Sequence, residues 1–107
     1  MASLITAIRT LVRSGTIRIS DHGYEELAND DILVRDVISG CEAAVVIQEY
    51  PDYQKGPCVL VLEIDRDDKP IHVVWGIPRQ ETEPAVLVTA YRPDPATWES
   101  DYLRRKA

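Results

Sequence analysis

The residues with the most usable chemistry are His22, Tyr91, Arg92 and Lys55, with Tyr50, Tyr53 and His72 as further contacts. His22 sits just after Ser20-Asp21, where a helix can start. An imidazole titrates near pH 6.5 and so can serve as general base or general acid; a helix N-terminus favours its neutral form and the adjacent Asp21 its charged form. Tyr91 and Arg92 leave the end of the apolar run Ala85–Ala90, and a hydroxyl beside a guanidinium can grip and polarise a phosphate. The loop from Glu49 to Pro57 carries Tyr50, Tyr53 and Lys55 next to Gly56, a composition able to stack a base and touch a phosphate. RNA brings its own nucleophile, the ribose 2′-hydroxyl, so a base, an acid and a cation suffice to cleave it. His22, Tyr91 and either Arg92 or Lys55 can fill those roles. Each also has an ordinary structural use: a cap hydrogen bond for His22, strand-end packing for Tyr91, a salt bridge for Arg92, a strand position for His72 and a plain hairpin loop for residues 49–57. No ligand set at metal spacing, Ser-His-Asp order or Gly-rich phosphate loop accompanies them, and no cofactor or metal is expected.

The elements that must position these residues follow from hydrophobic period. Leu4, Ile5, Ile8, Leu11 and Val12 recur at helical spacing before the stop Ser14-Gly15. Thr16–Ser20 alternates as a short strand. Ser20 or Asp21 then caps a second helix bearing Tyr24, Leu27 and Ala28, which Asn29-Asp30-Asp31 ends. Val34, Val37, Ile38 and Cys41 give a third, brief helix, with Gly40 placed as a left-handed C-terminal cap. From Ala43 the pattern turns to strands: 44–47, 58–64, 71–77 and 85–91. Asp65–Pro70 is a short polar hairpin link and Pro78–Pro84 a longer one. Asp94 with Pro95 reads as the start of a C-terminal helix, whose end would carry Arg104, Arg105 and Lys106. The expected fold class is α+β: N-terminal helices packed on a four-stranded antiparallel meander sheet, with a short N-terminal strand and a short C-terminal helix.

Period-two alternation puts Leu60, Leu62 and Ile64 on one side, Ile71, Val73, Trp75 and Ile77 on one side, and Leu87, Thr89 and Tyr91 on one side. Val59, Val61, His72, Val74, Val86, Val88 and Arg92 fall on the opposite sides. Both faces are fairly apolar, so helices are expected over one and partial cover, a partner included, over the other. At 107 residues the chain should form one domain, 1–107, burying roughly 65% of its unfolded surface. Eighteen carboxylates against twelve Lys and Arg, net charge −6, speak against a non-specific nucleic-acid coat protein. The start Met1-Ala2-Ser3-Leu4 lacks a leader pattern and no run suits a membrane span, so a soluble, cytoplasmic protein is expected. Cys41 and Cys58, in apolar settings, read as buried free thiols.

Several blocks in order carry a family likeness: Arg18-Ile19-Ser20-x-His22, Ile32 with Asp36-Val37, Glu49-Tyr50-Pro51, Lys55-Gly56-Pro57-Cys58, Lys69-Pro70-Ile71-His72-Val73-Val74, and Thr89-Ala90-Tyr91-Arg92-Pro93-Asp94-Pro95 with Trp98. Over nearly its whole length the chain resembles the bacterial domain-of-unknown-function family numbered 4258. The resemblance implies a RelE-like or barnase-like ribonuclease fold and an RNA-cleaving toxin of a toxin–antitoxin system. The implied partner is an antitoxin with a zinc-finger domain of the MqsA or YgiT type. Where family members place basic residues after the histidine, this chain has Glu25 and Glu26, then Asp30 and Asp31. The alternative reading is a non-catalytic protein-interaction module of the same fold, as a homodimer or with another partner.

Overall fold

A computed structural model describes residues 3–107; Met1 and Ala2, on which the reading of the chain's start partly rests, lie outside the described residues. The elements are α1 (Leu4–Arg13), β1 (Ile17–Ile19), α2 (Asp21–Asn29), α3 (Val34–Gly40), a 3-10 turn (Cys41–Ala43), β2 (Val45–Tyr50), β3 (Cys58–Ile64), β4 (Pro70–Gly76) and β5 (Ala85–Tyr91). Five strands form one sheet in the order β1-β5-β4-β3-β2. The meander β2 to β5 is antiparallel throughout, and β1 adds to its far edge in parallel with β5, so the sheet is mixed. Among the described residues no helix is long and apolar enough to cross a membrane.

Helix α1 buries Ile5, Ile8 and Val12, the stripe its spacing defines, and Ser3 caps it by accepting from the Thr6 amide. These side chains, with Leu27, Val37 and Cys41, pack on the inner sheet face of Val59, Val61, Ile71, Val73, Trp75, Ala85, Leu87 and Ala90. On β5 strict alternation fails. Val74 pairs with Thr89 but Trp75 pairs with Leu87, leaving Val88 as an extra residue. The bulge keeps Ala85, Leu87 and Ala90 inward, so Leu87 and Thr89 do not share a face as period two requires.

Two expected features take other forms. Gly40 is no left-handed cap, since its φ is −72°. A side chain there would collide with Glu63, whose Oε1 lies 2.7 Å from where a Cβ would stand. Residues 93–107 form no C-terminal helix: Thr97 and Trp98 bond back to the Asp94 carbonyl for one turn, and the chain then reverses, with Trp98 bridged to Arg105. Burial of Trp98 outweighs the cap signal of Asp94-Pro95. The cations of this tail therefore serve no helix dipole; Arg104 pairs with Asp101, and Arg105 lies over the Trp98 ring at 4.9 Å. The tail covers part of the sheet's outer face, which the alternation had left open to a partner. Both cysteines are buried and free, and burial pushes the Cys41 thiol up to about 12.

Candidate functional site

Pairing of β1 with β5 decides where His22 goes. Ile17 and Ile19 lie beside Ala85 and Leu87, so they point inward with them and Arg18, beside Val86, points outward. Ser20 then ends the strand and caps α2. Its hydroxyl accepts from the Gly23 amide at 2.9 Å and donates to the Val88 carbonyl at 2.8 Å, fixing the helix start on the bulge of β5. His22 consequently sits in the first turn, its side chain 62% exposed, with Nε2 3.8 Å from Oε1 of Glu26 one turn on.

A groove of about 480 Å³ runs from this helix start across the outer sheet face. Its floor is Cys58, Gly76, Val86 and Val88; one wall is Ser20, Asp21 and His22, and the other is Tyr53, Lys55 and Gly56. The opposite wall is held by backbone bonds between two loops: Arg79 N to Lys55 O at 3.0 Å and Ile77 N to Pro57 O at 3.1 Å. Gly56 makes this approach feasible, with φ of +130° and a notional Cβ only 2.1 Å from the Ile77 carbonyl oxygen. Arg18 and Lys55 bring two cations to the groove against one carboxylate, Asp21, in a chain of net charge −6. First-turn amides without intrahelical partners and the positive end of α2 add to the anion preference. The size falls in the range of small-ligand pockets.

The structure brings His22, Lys55 and Tyr53 together and leaves Tyr91, Arg92, His72 and Tyr50 out of this groove. Ser20 is tied to Val88, whereas Tyr91 lies three residues further along β5, about 10 Å, beneath the C-terminal tail. There His72 is fully buried: Nδ1 meets the Tyr91 hydroxyl at 3.3 Å, Nε2 meets the Tyr102 carbonyl at 2.7 Å, and Trp98 packs edge-on at 4.4 Å. A carbonyl only accepts, so the proton sits on Nε2 and Tyr91 donates to Nδ1. Burial pushes the His72 imidazole below its ordinary value and the Tyr91 phenol above its own.

Arg92 is engaged elsewhere. Its guanidinium meets Asp65 at 2.7 Å and the Pro70 carbonyl at 3.1 Å, while its amide donates to Asp30 at 2.7 Å. Asp65 also accepts from the Asp67 and Lys69 amides, closing the β3–β4 hairpin. Burial raises the Asp65 carboxyl, and its hydrogen bonds to Lys69, Arg92 and Asp67 outweigh that and hold it below the usual range. Asp30, one of the carboxylates after the histidine, thus serves as an acceptor at the strand end. Tyr50 closes β2 opposite Cys58 at the sheet edge.

Residues missed from sequence include Arg18, whose outward position follows from its place between Ile17 and Ile19, and Glu63. Glu63 is buried on the inner face with Oε2 accepting from Trp75 Nε1 at 2.9 Å and Oε1 without a partner. Alternation along Cys58–Ile64 puts Glu63 on the side of Val59 and Val61, but nothing in the run says that this side faces the core. Among the described residues no three His, Cys, Asp or Glu side chains gather as a metal site. A family model described as Domain of unknown function (DUF4258) matches residues 19–92, from the end of β1 to the residue after β5. No curated protein and no solved structure matches the chain.

Proposed function

The chain belongs to the DUF4258 family, and from that premise we propose that it is an RNA-cleaving toxin of a toxin–antitoxin system, a metal-independent acid–base ribonuclease with a RelE-like fold. The observation that carries this reading is the groove itself: an acidic protein concentrates Arg18, Lys55, a helix N-terminus and an exposed His22 around one cavity. A phosphodiester fits that set. His22 takes the proton from the ribose 2′-hydroxyl, the 2′-oxygen bonds to phosphorus, and the 5′-oxygen leaves and takes a proton from water. Arg18 and Lys55 hold the phosphate oxygens as charge builds on them. Arg18 thereby takes the role that sequence gave to Arg92. The products are a 2′,3′-cyclic phosphate and a 5′-hydroxyl end. The reading further includes a cytoplasmic location and an antitoxin with a zinc-finger domain as partner.

The test is cleavage of a long unstructured RNA by purified protein in the presence of a chelator. Wild type should leave 5′-hydroxyl ends, and His22→Ala should lose at least about 100-fold in rate. Full activity in the variant removes His22 from the chemistry.

A second reading, a non-catalytic interaction module, is favoured by the free edge strand β2. Its Val45 (47%), Val46 (38%) and Tyr50 (37%) are exposed, and among the described residues it has a strand neighbour on one side alone, which leaves an edge for pairing with a homodimer mate or another strand. That reading expects a stable complex and no cleavage.

A further inference from the structure

Tyr53 stands between two cavities. On one side is the His22 groove; on the other is a smaller recess of about 280 Å³ lined by Pro51, Asp52, Gln54 and Arg79, and both cavities include Tyr53 and Gly56 in their walls. Tyr53 is 49% exposed although the loop that carries it is firmly held. Gly56 N bonds back to the Tyr53 carbonyl at 2.9 Å, and the Lys55 carbonyl is bound by Arg79 N. The backbone beneath Tyr53 is therefore already in place before any ligand arrives, which limits the ordering cost of binding.

We propose that Tyr53 is a wedge that stacks between two successive bases of single-stranded RNA, one nucleotide lying in the His22 groove and its neighbour in the Arg79 recess. This rests on the reading of the groove as an RNA site. The occupant is single-stranded because a duplex stacks its bases on each other and offers no free face to a ring at a loop tip. Lys55 lines the groove and Arg79 lines the recess, so each cavity has a cation for the phosphate of its nucleotide. The Gln54 amide has both a donor and an acceptor to offer a base edge, and Asp52, the one carboxylate of the recess, accepts from exocyclic amino groups.

Binding is measured by fluorescence anisotropy with a labelled 2′-O-methyl oligocytidylate of about eight nucleotides, whose bases carry the exocyclic amino group that Asp52 accepts from. That probe cannot be cut through its 2′-oxygen, so binding is read separately from cleavage. Wild type should prefer the single strand to a 2′-O-methyl duplex of equal length. Tyr53→Ala should weaken single-strand binding roughly 5- to 150-fold, while Tyr53→Phe, which keeps the ring, should stay within about 2-fold of wild type. Arg79→Gln should reduce the slope of log affinity against log salt by about 0.7. Absence of wild-type binding, equal affinity for the duplex, or unchanged affinity in Tyr53→Ala overturns the proposal. Loss of cleavage in the chelator assay with wedge-dependent binding intact would instead remove the nuclease reading and leave the wedge standing.

Discussion

Replacement of Glu63 by glutamine should change how stability depends on pH, with a magnitude set by burial. Glu63 is 1% exposed; among the described residues its carboxyl bonds only to Trp75, and Gly40 closes over the oxygen left without a partner. Burial, opposed by the Trp75 hydrogen bond, pushes it up from 4.5 to about 8. The native protein thus holds the proton more tightly than the unfolded chain does. The stabilisation is complete below the unfolded value of 4.5 and is lost as pH rises towards 8. At about 1.4 kcal/mol per pH unit the loss across that window is about 5 kcal/mol, a large share of the 5–15 kcal/mol that holds a small domain together. Glu63→Gln carries no such titration. Its buried amide hydrogens lack acceptors at a cost of about 1–3 kcal/mol, so the variant should be the less stable protein near pH 5 and the more stable one above pH 8. Urea unfolding followed by tryptophan fluorescence at intervals from pH 5 to 9 gives both curves. Two curves that run parallel would refute the assignment of the proton to Glu63.

Three other outcomes follow from the same contacts. Arg92→Ala takes the guanidinium from buried Asp65, which keeps its bonds to the Asp67 and Lys69 amides, and should cost about 1–3 kcal/mol of stability by urea unfolding, with cleavage by the folded fraction unchanged; undiminished stability would contradict the structural role given to Arg92. His72 is held neutral, its imidazole below the ordinary 6.5, so its contribution is present above that value and fades as pH falls. Hydrogen exchange in the tail, corrected for intrinsic rates, should therefore speed up between pH 7 and pH 5 in wild type but not in His72→Gln, and equal pH dependence would exclude this anchor. Tyr53→Ala, through the loss of stacking, should weaken single-strand binding roughly 5- to 150-fold by anisotropy, and unchanged affinity would remove the ring from the site.

Local period carried much of the fold. The stripe Ile5, Ile8, Val12 and the β-branched runs of β3 and β4 bury the residues their spacing singles out, because amphipathic pattern and core burial are one requirement seen twice. What escaped was settled by long-range contact. The parallel docking of β1 on β5, which aims Arg18 and His22 into one groove, joins residues 17–19 to 85–87, and nothing local encodes it. The bulge at Val88 reverses the expected face of Thr89 and Tyr91. The tail obeyed Trp98 rather than its own cap signal, because His72 and the outer sheet face offered the ring a buried seat. The site was half legible for the same reason. His22, Lys55 and Tyr53 share a groove, whereas Tyr91 and Arg92, adjacent in sequence to each other, are spent on His72 and Asp65.

The most direct test of the nuclease reading is inducible expression of wild type and His22→Ala in bacterial cells, with growth and transcript ends followed together. Wild type should arrest growth and generate new 5′-hydroxyl ends within messages, and His22→Ala should do neither at equal protein level. Normal growth and unchanged transcript ends with wild type, or the same ends in both strains, would contradict the account.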